Sequence, residues 1–106
     1  MEKTFAEEVL KQGNIDTAPE FLNEAYKIMT ERGKTYDSVD GERSMDKTIA
    51  AFNVITGNLL SESDGWLLML LLKSVRQNSN AEFHSDSALD SVAYAALMAE
   101  ALSHGD

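Results

Sequence analysis

A chain of 106 residues is sized for one domain, and the absence of cysteine excludes disulfides, thiolate metal sites and a cysteine nucleophile. Eighteen acidic residues against nine basic ones leave a net charge of −9. That charge repels a phosphate backbone, so direct nucleic-acid binding is disfavoured, while a basic partner, a cation or plain solubility all remain compatible with it.

Met1 to Asn14 is charged and lacks the apolar core of a signal peptide. The longest apolar run is shorter than the roughly 20 residues that cross a bilayer. The expectation is a cytoplasmic protein that does not associate with membranes.

The first predicted helix, Glu2 to Gln12, carries Phe5, Ala6, Val9 and Leu10 on one stripe and stops at Gly13-Asn14. Being short and charged on its other face, the segment 1–14 is expected to dock only loosely. Asp16-Thr17-Ala18-Pro19-Glu20 then reads as a helix start, with capping side chains, a first-turn proline and an acid near the positive end of the dipole. Phe21, Leu22, Ala25, Ile28 and Met29 form the apolar face of that helix, which is expected to end at Gly33.

Lys34 to Arg43 has turn chemistry at Asp40-Gly41 and no sustained period, and reads as a loop. Its acids do not make a calcium loop, because Val39 stands where an oxygen ligand is needed. The next helix opens at Ser44, runs through Met45, Ile49, Phe52 and Ile55, and closes at Gly57.

Ser61 to Gln77 is the stretch around which the chain is organised. Ser61-Glu62-Ser63-Asp64 is close to a capping box, and Trp66 to Leu72 is apolar on every side, the mark of an enclosed helix. The last helix, about Asp86 to Ser103, presents Leu89, Val92, Ala93, Ala96 and Leu97, and its many alanines permit close approach to the leucine-rich neighbour. Nothing alternates with period two. The expected fold is therefore all-α: a single domain over 1–106, a compact bundle of four to five helices around a central buried apolar helix at about 61–77. So apolar a helix exceeds what short amphipathic companions cover, which points to a homodimer burying part of it.

One charged constellation stands out. Lys73 and Arg76 share a face near the end of the fourth predicted helix, and Asp86 and Asp90 share a face near the start of the fifth. In an antiparallel hairpin the two pairs meet at one level, with Tyr94 a turn deeper. They can be interhelical salt bridges that complement the two helix dipoles. Alternatively, Asp86 and Asp90 hold a divalent cation, with Glu20 or Glu24 as a further ligand, and Lys73 and Arg76 take phosphate oxygens. His84 beside Ser85 and Asp86 reads as a cap rather than a catalytic set, and Met45, Met69 and Met98 read as core. No glycine-rich phosphate loop, nucleophile elbow or histidine metal motif is present.

The segments R-G-K-T-Y-D (Arg32–Asp37), E-R-S-M-D-K-T-I-A-A-F-N-V-I-T-G (Glu42–Gly57), G-W-L-L-M-L-L-L-K-S-V-R (Gly65–Arg76) and H-S-D-S-A-L-D-S-V-A-Y-A-A-L (His84–Leu97) resemble a small protein family of unknown function. That family is widespread in tailed bacteriophages and prophages of proteobacteria, and the likeness covers about Phe21 to Leu102. The basic K-x-x-R helix end followed by D-x-x-x-D-x-x-x-Y is also similar, more distantly, to the MazG-type all-α nucleoside triphosphate pyrophosphohydrolases. That resemblance implies Lys73 and Arg76 as phosphate ligands and Asp86 and Asp90 as ligands of Mg2+; Arg32 and Tyr36, in the R-G-K-T-Y-D segment, are further site candidates. This chain departs from the MazG pattern of E-E-x-x-E and E-x-x-D helices, having instead Glu20 and Glu24 four apart and a D-x-x-x-D.

Two functions follow as expectations. One is a phage accessory protein that binds or hydrolyses nucleotide phosphates with a divalent metal. The other is a non-enzymatic phage protein that binds and inhibits a host defence or replication protein.

Overall fold

The computed structural model describes residues 15–35 and 44–106. Four helices carry them: α1 (Ala18–Thr35), α2 (Met45–Thr56), α3 (Glu62–Ser79) and α4 (Ser85–Ser103). No strand occurs among the described residues. The expected helix within 1–14, and residues 36–43 of the expected loop, lie outside the described residues.

Each helix begins where its side chains can satisfy free amides. At the start of α1 the Glu20 carboxylate accepts hydrogen bonds from the Asp16 and Thr17 amides at 3.1 and 2.9 Å. Thr17 Oγ1 in turn accepts from the Glu20 amide at 3.3 Å. The helix runs past Gly33 to Thr35. α2 follows Ser44, which makes no side-chain cap, and stops at Gly57 with φ 75°, a left-handed conformation that glycine adopts without steric cost. α3 has the expected capping box: Ser61 Oγ accepts from the Asp64 amide, and Asp64 Oδ2 accepts from the Ser61 amide at 2.8 Å. His84 caps α4, its Nδ1 accepting from the Ser87 amide at 3.2 Å.

Among the described residues the helices do not form a coat around α3. α3 and α4 pack along their length as an antiparallel hairpin, α1 docks on α4, and α2 packs on α3. α3 and α4 each have two neighbours, α2 and α4 for the one and α1 and α3 for the other. The small residues Ala101 and Ser87 of α4 are buried, and so is Leu89. From α1 comes buried Ala25, and Phe21 meets Phe83 edge-on at 6.2 Å, tying α1 to the turn between α3 and α4.

The α2–α3 corner is closed by three devices. Gly65 is buried where the two helices touch, and a Cβ there would collide with Met45 Sδ and lie 3.0 Å from two carbons of Ile49. Asn53 imitates a backbone pair, its amide nitrogen donating to the Leu60 carbonyl and its oxygen accepting from the Leu60 amide, both at 2.9 Å. Ser63, also buried, donates its backbone N–H to the Asp106 carbonyl at 3.2 Å, so the last turn of the chain seats on the start of α3.

The expected enclosure of 61–77 is corrected here. Trp66 and Gly65 are buried, but Leu67, Leu68, Leu71, Leu72 and Val75 are exposed. At about 100° per residue these five fall within one sector of roughly 140°. Trp66 and Lys73 lie on the opposite side, where α4 packs. α4 covers that face, α2 reaches only the first turn of the helix at Gly65, and α1 docks on α4 instead of closing the outer side. The apolar stripes expected elsewhere are also only partly buried: Leu22, Phe52, Ile55 and Ala96 face outward.

Candidate functional site

The hairpin brings half of the predicted constellation together. Lys73 Nζ lies 2.9 Å from Asp90 Oδ2, with both side chains largely shielded from solvent at 14% and 22% exposure. One turn deeper, Tyr94 stacks on Trp66 with centroids 5.8 Å apart and planes 24° apart, and the Trp66 indole donates to Glu62 Oε2 at 3.2 Å. The geometry follows from helical spacing. Lys73 sits seven residues beyond Trp66 and Asp90 four before Tyr94, so charged and aromatic pairs occupy successive layers between two antiparallel helices.

The remaining candidates do not join this layer. Arg76 and Asp86 are both exposed and no ion pair links them among the described residues. Glu20 is committed to capping α1, and the amide and hydroxyl hydrogen bonds from Thr17 and Asp16 hold its carboxyl below the usual carboxylate range. Glu24 is half-buried on α1. Arg32 lies near the end of α1, and Tyr36 lies outside the described residues.

The acids proposed as metal ligands do not come together among the described residues. Among the described residues, no group of three or more acids or histidines converges on a point where a metal ion could be held. Asp90 already neutralises Lys73, which removes one carboxylate from any metal and one cation from any phosphate. An open depression of ≈ 500 Å³ lies at the other end of α3, lined by Asp46, Glu62 and Asp106 among others and by no lysine or arginine. Glu62 stands eleven residues before Lys73, about 16 Å along the helix. An acidic hollow of this kind disfavours phosphate, and it is remote from the only cations of the constellation.

The more prominent feature is apolar. At the end of α2 and in the turn after it, Val54, Ile55 and Leu59 are 85%, 82% and 97% exposed. Val54 and Ile55 lie more than a quarter turn round α2 from Ile49, the residue that packs on α3, so they face away from the hairpin. Sequence periodicity placed Ile55 on the buried stripe. Only the first half of α2 is held against Gly65, and the stripe loses its cover where the helix runs past that contact.

No helix among the described residues is long and apolar enough to cross a membrane. The class of protein defined by these observations is a small all-α bundle with a neutralised charge layer inside and apolar side chains displayed outside. Over residues 20–102 the sequence matches the family described as Domain of unknown function (DUF6378), and the chain belongs to that family. No curated protein and no solved structure matches it.

Proposed function

We propose that this protein acts by binding and not by turnover: a phage or prophage accessory protein that engages a host protein and blocks its action. The observation that carries the reading is the corner formed by Val54, Ile55 and Leu59, three large apolar side chains presented almost entirely to water. Apolar groups gathered on one corner of a soluble domain mark contact surfaces. Burying one such side chain is worth about 1.5–3 kcal/mol, so the three serve as anchors within a larger contact that must also offset the cost of association. The surrounding acidity, −9 over the chain, favours a partner with a basic rim and quickens its encounter.

The nucleotide reading receives less support, since Lys73 is paired with Asp90 and the acids do not converge. Arg76 alone is a weak phosphate site.

The test uses the full chain as bait in host lysate, compared with Ile55→Asp/Leu59→Asp. The wild type is expected to retain one partner in stoichiometric amount, and the double variant to lose it while keeping its far-UV circular dichroism. Equal retention by both proteins sinks the proposal. So does magnesium-dependent release of pyrophosphate from any nucleoside triphosphate by the wild type but not by Asp90→Ala.

A further inference from the structure

We infer that the outward stripe of α3 is the seat of a second copy of this chain, packed antiparallel across a two-fold axis at the level of Leu71. This goes beyond the partner-binding corner, which lies on a different face and on α2.

Three observations carry it. The first is the shape of the stripe. Leu67, Leu68, Leu71, Leu72 and Val75 recur at spacings of three and four, all exposed, with Leu68 64% and Val75 61% exposed. That is the seam of a helix pair and not scattered surface apolarity. It is also nearly symmetric about Leu71, so a two-fold at that level sets Leu67 of one copy against Val75 of the other. A surface that complements itself under a two-fold is what an isologous dimer requires.

The second is charge. The chain carries 18 acids, yet none falls between Gly65 and Asn80. A second copy, itself at −9, is repelled by most of this molecule's surface and can approach here. The third is the asymmetry of the helix ends. Asp64 lies in the first turn of α3 and Arg76 in its last. An antiparallel partner with its axis at Leu71 brings Asp64 of each copy within about one turn of Arg76 of the other. A parallel pair instead sets Asp64 against Asp64 and Arg76 against Arg76, which is repulsive at both ends. Charge complementarity therefore selects the antiparallel arrangement. It also gives Arg76, which has no ion pair among the described residues, a role on the contact surface.

Packed this way, α3 and α4 of each copy form a four-helix arrangement with the leucines inside. One helix per subunit is a contact at the small end of specific interfaces. Dissociation is accordingly expected in the micromolar range and is sensitive to single substitutions.

Sedimentation of the full chain from about 1 to about 100 µM brackets that range, with Leu71→Glu as the disrupting variant and circular dichroism recorded on both. The wild type is expected to dimerise, and Leu71→Glu to remain monomeric with unchanged helicity, its dissociation constant raised at least about 100-fold. A wild type that stays monomeric throughout overturns the inference, as does a Leu71→Glu protein that dimerises like the wild type.

Should Leu71→Glu fail to fold, engineered cysteines decide, because the chain has none of its own. Leu71→Cys is expected to cross-link to its own copy. Leu67→Cys and Val75→Cys are expected to cross-link only when mixed with each other. Identical residues four positions from the axis stand about 12 Å apart along the helices, beyond the roughly 7 Å that a disulfide tolerates between Cα atoms. Cross-linking of Val75→Cys with itself, in preference to the mixture, overturns the antiparallel geometry.

Discussion

Gly65 offers a measurable test of how α2 is held on α3. Replacing it by alanine removes glycine's helix penalty, a gain of about 1 kcal/mol in a helix interior. The new methyl group, however, enters space already held by Met45 Sδ and comes within 3.0 Å of Ile49 Cδ1 and Cγ1. Overpacking of this kind costs about 1–3 kcal/mol, so Gly65→Ala is expected to lose between about 0 and 2 kcal/mol in spite of its better propensity. Met45 is flexible and Ile49 is a stiff, buried, β-branched neighbour, so Met45 should supply most of the relief. Gly65→Ala made in a Met45→Ala background should accordingly change sign and stabilise. Urea unfolding followed by circular dichroism, run on the four proteins of this cycle, measures the coupling directly. The packing argument is refuted if Gly65→Ala has the same effect in both backgrounds, or gains the full propensity term in the wild type.

The other expectations concern single contacts. Removing Asp90 strands a shielded Lys73 and should cost about 1–3 kcal/mol, while Lys73→Met/Asp90→Leu together should cost much less, since an apolar pair leaves no unpartnered charge; comparable losses in single and double variants would contradict this. Ser61→Ala and His84→Ala each remove the acceptor that caps a helix, α3 and α4 respectively, and each should cost about 1 kcal/mol in thermal or chemical unfolding. Glu20 has its pKa lowered by the amides it caps. Its contribution is therefore present above the unfolded carboxylate value and is lost as pH falls through the lower folded value. Glu20→Gln should flatten the acid limb of the stability–pH profile, and a profile unchanged by that substitution would show that the cap contributes nothing.

Helix positions were legible because short-range chemistry writes them. The capping box at Ser61 and Asp64, the stop at Gly57 and the start near Pro19 all depend on residues within one turn of each other. The meeting of Lys73 with Asp90 was legible too, since an antiparallel hairpin with a short connection fixes the register. The burial of whole faces was not. Ile55 and Leu22 have the right period for a core, but period says only that a face is apolar, not that another element reaches it. The same limit applies to α3: its composition demands cover, yet which helix supplies that cover depends on where α1 docks. Phe21 meets Phe83 in that docking, and nothing in the local pattern of either residue reveals it. Arg76 and Asp86 failed to pair for a related reason. Spacing places them at one level, but whether their side chains turn towards each other depends on helix rotation, which sequence spacing leaves free.

The Asn53 clamp has a bearing on recognition. By holding both polar groups of Leu60, it ties the chain just after Leu59 back to α2 and limits the directions in which Leu59 can stand out. On the proposed reading, a partner that meets a corner held in this way spends less on ordering it, and more of the contact energy survives as affinity. Rigidity set by one asparagine side chain would make the corner a selective contact, because a partner must match its shape as found.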